Sequence, residues 1–283
     1  NGEKALEYLN RRGVEPEIQK KFGIGYAPQG RDNLYKYLSS KGFDREAMVK
    51  SGLVMESKDG RGLYDRFVNR RMFPIFDIQG RAIAFGGRII DKGEPKYLNS
   101  PETAVFSKSR TLYGMNFAKA ARKREIILVE GYMDMISIYQ AGFPNVVAGL
   151  GTAFNGEHAA TLRKLADSVI LLYDSDEAGT RAALRAIPVL VAGGFDVKVT
   201  QVTGAKDADE FIKKYGRDAF GKLIVDAVSY ITFRINVAKK NYNMDNADHR
   251  VRFAEEAATI LAEVPSEIER DVYSKETAAL CGI

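Results

Sequence analysis

Cysteine is nearly missing from this chain: Cys281 stands alone among 283 residues. That excludes an internal disulfide and any cysteine-built zinc site, so no zinc is expected in this piece. Histidine is equally scarce. His158 falls at a helix start and His249 in a helical run near the end, and neither has the companions that a zinc centre or a nucleophilic triad requires. No apolar run approaches the roughly 20 residues of a membrane span. The opening Asn1-Gly2-Glu3-Lys4 leads straight into helix-forming sequence with no secretory signal. Internal repeats, low-complexity tracts and a Walker A phosphate loop are absent as well. The expectation is a cytoplasmic protein with no membrane partner. Its first residue is not Met, which reads as a piece of a longer protein with flanking domains outside it.

What is present is ordinary in bulk and uneven in detail. Apolar residues make up 45% of the chain, enough for a packed core, and the length fits one large domain or two to three smaller ones. The net charge is +5 with a pI near 9.0, a balance that favours a polyanionic partner. Basic residues crowd roughly the first 125 positions, whereas carboxylates gather at the ends of later apolar runs.

The pattern changes twice along the chain. Helical segments are expected at 4–12, 15–21, 32–41 and 44–51, with Gly13, Gly42 and Gly52 as stops. Met72–Asp77 and Arg81–Arg88, separated by Gln79-Gly80, read as a β-hairpin. Loop follows as far as Phe117, then a short helix over 118–123. From 125 to about 226 strands and helices alternate: strands at 125–129, 145–148, 168–173 and 196–202, helices at 133–141, 156–165 and 178–192. Such units predict a parallel sheet with helices on both faces. The remainder reads as helix, with amphipathic runs at 227–240, 246–262 and 265–279.

Ligands of open parallel sheets sit beyond the carboxyl ends of the strands, and acids stand there. Ile126-Ile127-Leu128-Val129 runs into Glu130, with Asp134 four residues on. Val169-Ile170-Leu171-Leu172-Tyr173 runs into Asp174-Ser175-Asp176, and Asp207 and Asp209 follow the last strand. An Asp between a strand and a helix is commonly an N-cap. Acids converging from three strand ends repel one another unless a cation offsets them, and hard cations such as Mg²⁺ take one or two carboxylates with waters and phosphate oxygens.

A strand ending in Glu-Gly, followed downstream by a strand ending in Asp-x-Asp, resembles the Toprim domain of primases, topoisomerases and certain nucleases; the resemblance spans about 123–226. It implies that Glu130, Asp174 and Asp176 bind Mg²⁺, with Mn²⁺ able to substitute, and that Glu130 also serves as an acid or base. Asp134, Asp207 and Asp209 are accessory candidates. Glu130-Gly131-Tyr132-Met133-Asp134 and Gly149-Leu150-Gly151-Thr152 are similar to bacterial DnaG-type primases in particular. So are Phe22–Pro28, Asp65-Arg66-Phe67, Met72-Phe73-Pro74-Ile75, Phe85–Arg88, Pro95–Thr103, Phe106-Ser107-Lys108 and Leu112-Tyr113-Gly114. This second resemblance covers roughly 5–225.

The resemblance implies an α/β protein in three parts: a mixed α+β basic subdomain over 1–122, a parallel-sheet Toprim domain over 123–226 and a helical subdomain over 227–283. It implies that Arg12, Arg88, Lys96 and Lys108 contact incoming ribonucleoside triphosphates. Arg66, Arg70 and Arg71 flank the first hairpin strand and suit the template backbone. Tyr97 and Phe106 could stack on bases, although loop aromatics commonly pack locally. The implied activity is synthesis of short RNA primers on single-stranded DNA by metal-assisted phosphoryl transfer in the bacterial cytoplasm. Contact with a replicative helicase is expected through domains outside this chain. Two alternatives stay open: a Toprim nuclease that cleaves DNA, and a non-catalytic Toprim module that binds nucleic acid.

Overall fold

The computed structural model describes residues 2–57, 60, 62–90 and 93–282. Four short helices open the chain: α1 (Glu3–Arg11), α2 (Pro16–Lys21), α3 (Asn33–Ser40) and α4 (Arg45–Lys50). Between and after them run β1 (Gly25–Ala27), β2 (Val54–Glu56), β3 (Leu63–Asp65), β4 (Arg70–Phe76), β5 (Ala82–Ile89) and β6 (Tyr97–Asn99). β4 and β5 form the expected hairpin, and β1 and β6 add to its two sides in an antiparallel sheet of order β1-β4-β5-β6. Asp77 builds the turn, since its carboxylate accepts the main-chain N–H groups of Gln79 and Arg81. The short strands β1, β2, β3 and β6 were not anticipated.

The second half alternates as the pattern predicts. α5 (Met115–Ala121), β7 (Glu125–Val129), α6 (Tyr132–Gln140), β8 (Val146–Ala148), α7 (Gly156–Leu162), β9 (Ser168–Leu172), α8 (Glu177–Ala192) and β10 (Asp196–Thr200) succeed one another, followed by α9 (Ala208–Val225) and the two-residue β11 (Val228–Ser229). The sheet order is β11-β10-β9-β7-β8, with β10, β9, β7 and β8 parallel and β11 an antiparallel edge. Along β7 the side chains divide by parity: Ile127 and Val129 enter one core, Ile126 and Leu128 the other. Both faces are therefore buried, which is why the strand reads as a continuous apolar run.

One core lies under α6 and α9 and continues without a break into Phe22, Phe73 and Ile75 of the basic half. The other lies under α5, α7 and α8. The tail helices α10 (Tyr230–Lys239), α11 (Ala247–Ala262) and α12 (Glu267–Cys281) pack around Phe253, Ile231 and Ile260. Among the described residues, no helix is long and apolar enough to cross a membrane.

Candidate active site

The carboxyl ends of β7 and β9 lie side by side, and each delivers an acid to the same edge. Glu130, Asp134 and Asp174 line one small cleft of about 10 Å³, floored by Val129, Leu172 and Ala208. That volume suits a single water-sized occupant. Loss of solvent and the charge of Asp174 raise the Glu130 carboxyl above its ordinary value. Partial burial, then Asp207 and Asp176, raise Asp174 in the same direction. Asp134 is pushed up to about 7, by burial first and then by Asp207 and Asp174. Burial comes first in each case, and the neighbouring acids push the same way because little positive charge lies between them.

Asp176 and Asp207 do cap helices. Asp176 accepts the N–H of Gly179 at 2.7 Å at the start of α8, and Asp207 accepts that of Glu210 at 2.8 Å at the start of α9. A carboxylate has a second oxygen, so capping orients these groups without using them up. The turn between Asp174 and α8 is tight: a Cβ on Gly179 would fall 2.1 Å from the Asp174 carbonyl oxygen, so only glycine leaves Asp174 where it is. Among the described residues, no three His, Cys, Asp or Glu side chains are already drawn into a metal cage. A Mg²⁺ ion needs only one or two carboxylates beside water and phosphate, and the mutual repulsion of these acids is what such an ion would relieve.

Asp209 has a different setting. It is 1% exposed and accepts from Arg12 at 2.6 Å, Lys213 at 2.6 Å and the Ser137 hydroxyl at 2.5 Å. Its main-chain N–H reaches Asp134. Arg12 is thus tied to a buried carboxylate; burial lowers its guanidinium pKa, but Asp209 and Tyr8 together raise it above the ordinary value. Arg88 is half-buried, its guanidinium over the rings of Tyr8 and Tyr97, with a hydrogen bond to the Tyr8 hydroxyl. Tyr97 in turn stacks on Tyr132 and feels the charge of Asp134, so this cationic group borders the acids. Lys96 is exposed beside it. Lys108 is held from two sides: its N–H donates to Glu102, and its carbonyl accepts from His158 at 2.6 Å.

Two of the three arginines expected at the template are largely enclosed. Arg70 and Arg71 are 6% and 5% exposed. Arg70 donates to the carbonyls of Gly87 and Pro95, and Arg71 to that of Ile89, with its charge 3.8 Å from the centre of the Tyr8 ring. These heads brace the edge of β5. Arg66, half-buried, spends two N–H groups on the Asn99 carbonyl. Phe106 is 1% exposed, so it packs locally, and Tyr97 does so largely through its stack on Tyr132. Four residues that sequence reasoning passed over or set aside organise the site: Tyr8, whose ring gathers Arg71 and Arg88; Tyr132 and Asn99, whose mutual hydrogen bond of 2.8 Å joins β6 to the start of α6; and His158. The close fit is visible at Gly86, where a Cβ would lie 2.5 Å from the Tyr132 hydroxyl.

Comparison with known proteins bears on this arrangement directly. A family profile described as the DNA primase catalytic core, N-terminal domain, matches residues 1–119, and one described as Toprim-like matches 127–212, a fold group that binds divalent cations. A third, described as the DnaB-helicase binding domain of primase, matches 231–283. The tail, read from the sequence only as amphipathic helices, thus falls under a profile named for helicase binding, within this chain. The chain is 42% identical to a DNA primase of Clostridium acetobutylicum over 281 residues, covering 99% of this chain and 47% of that protein. It therefore spans about half the length of such relatives. A DNA primase domain from Pseudomonas aeruginosa superposes with a TM-score of 0.85 at 38% identity, over 99% of this chain and 89% of that one. A DnaG primase catalytic domain bound to single-stranded DNA gives 0.84 at 34% identity, over 99% and 89%. The three profiles, the identities and the superpositions agree, and the chain belongs to the DnaG primase family, over its catalytic core.

Proposed function

We propose that this chain is the RNA-synthesising core of a bacterial replicative primase, joining ribonucleotides into short primers on single-stranded DNA in the cytoplasm, with Mg²⁺ as the cofactor and Mn²⁺ able to replace it. The observation that carries the reading is the convergence of Glu130, Asp134 and Asp174 on one cleft large enough for a single small occupant. The family relationship and the single-stranded DNA held by a related catalytic domain support the substrate.

Glu130, Asp174 and Asp176 would hold the cation, which lowers the pKa of the attacking hydroxyl and offsets triphosphate charge when bound. Arg88, Lys96 and Lys108 would neutralise and orient the phosphates, which is most of what phosphoryl transfer asks of a protein. Glu130, with its raised pKa, is suited to accept the proton as the 3′-oxygen bonds to the α-phosphorus and pyrophosphate leaves. Arg12 acts at one remove in this scheme, by fixing Asp209 and through it the start of α9. Asp207 and Asp134 would adjust the charge around the cation.

The tail supports a second contact. Ile268, Val272 and Leu280 of α12 and Val251 of α11 are exposed apolar side chains, and their match to a helicase-binding profile favours a replicative helicase as partner through this face. Incubating the chain with single-stranded DNA, ribonucleotides and Mg²⁺ or Mn²⁺ separates the readings. Short RNA is the expected product; degraded DNA would indicate a nuclease, and neither product a binding module.

A further inference from the structure

Glu130 lines two cavities. The acidic cleft lies on its α6–α9 side; on its α8 side is a separate hollow of about 280 Å³. The walls of that hollow include Gly149, Thr152 and Phe154 from the loop after β8, Tyr173 at the end of β9, and Arg185 from the middle of α8. Arg185 is exposed, and its positive charge reaches Glu130. Neither the hollow nor Arg185 has a part in the function proposed above.

The lining chemistry selects its occupant. Arg185 offers a planar fork of N–H donors, the arrangement that matches phosphate. Phe154 is half-buried and stacked on His158 at 5.5 Å, giving the hollow an aromatic wall. Thr152 adds a hydroxyl-bearing side chain to the lining. Glu130 is the only carboxylate among the lining residues, and a guanidinium beside it disfavours a second cation. The volume is close to the roughly 300 Å³ at which small-molecule pockets begin. It leaves room for one nucleotide and excludes a duplex.

Resting on the primase reading, we propose that this hollow is the subsite for the 3′-terminal nucleotide of the growing strand, and for the initiating nucleotide at the first bond, with Arg185 binding its phosphate. Glu130 then stands between the strand end on the α8 side and the incoming triphosphate on the acidic side. The two reactants of one step meet at the residue that takes the hydroxyl proton.

The test is equilibrium binding of a 5′-phosphorylated diribonucleotide to the full chain and to Arg185→Ala and Arg185→Lys, beside extension kinetics. Alanine at an exposed mid-helix position favours the helix, so the variant should fold. The expected result is about tenfold weaker binding and about tenfold higher KM for the strand end in Arg185→Ala, with Lys recovering part of both. KM for the incoming nucleotide should change less than about twofold. Unchanged dinucleotide affinity, or an equal rise in both KM values, overturns the subsite. A chain that binds the dinucleotide through Arg185 but makes no RNA supports the nucleotide subsite and counts against the primase reading alone.

Discussion

A carboxyl that has given up water beside two other carboxylates pays for its position in charge repulsion. Asp134 is such a group, its pKa pushed up to about 7. Because the folded value lies above the unfolded one, the stability it contributes is complete at low pH and is lost as pH rises through about 7. Glu130 and Asp174 shift in the same direction. Without divalent cation, Asp134→Asn is therefore expected to stabilise the protein by about 1 kcal/mol near pH 8, a figure reduced for the solvent that still reaches the group. It should make no difference near pH 4. Thermal melts of parent and variant across that range check this, and parallel pH profiles would contradict it. Added Mg²⁺ should raise the melting temperature of the parent more than that of the variant. Asp209 stands apart because Arg12, Lys213 and Ser137 already satisfy it.

The helix α7 shows how an element can serve chemistry without touching it. Asn155 caps the helix, accepting from the N–H groups of Glu157 and His158, and His158 Nδ1 accepts the Asn155 N–H in return. That bond leaves the ring proton on Nε2, which donates to the Lys108 carbonyl. Burial lowers the His158 pKa, in keeping with a neutral ring. His158→Ala is expected to cost about 1–2 kcal/mol of stability. If Lys108 binds nucleotide phosphate, the variant should also raise KM for ribonucleotides severalfold with little change in kcat. An unaltered KM in a destabilised variant would reduce His158 to a purely structural role.

Element by element, the sequence was most readable where its signals were local. The helices expected at 44–51, 156–165, 178–192, 246–262 and 265–279 form within a few residues of those spans, capped by Asp44, Asn155, Asp176, Asn246 and Ser266. β1, β2, β3 and β6 were not readable, since three residues are too few for alternation to register. α3 is capped from a distance, by Asp65 accepting the N–H groups of Leu34 and Tyr35, and no window around α3 contains that information. α9 escaped notice for a local reason: Gly216, at φ +83°, interrupts its helical pattern.

Across the whole molecule, the basic half and the parallel-sheet half are not separate bodies joined by a linker. Phe22 is fully buried and touches Phe117 and Tyr139 at ring distances of 4.4 and 5.1 Å, and one apolar core runs from α1 to α9. This continuity holds the cations of one half against the acids of the other. It also explains the uneven legibility of the site. The acids could be found because a strand end announces itself in an apolar run. The fates of Arg70 and Arg71 could not, because whether an arginine in β4 faces a template or Tyr8 depends on where α1 packs. The central claim is that the acids at the ends of β7 and β9 run metal-dependent RNA synthesis. Its most direct measurement is primer formation on single-stranded DNA by the parent chain and Asp174→Asn over a series of Mg²⁺ concentrations. A loss of about a hundredfold or more is expected in the variant, deepest at limiting Mg²⁺. Parent-like synthesis by Asp174→Asn at limiting Mg²⁺ would contradict it.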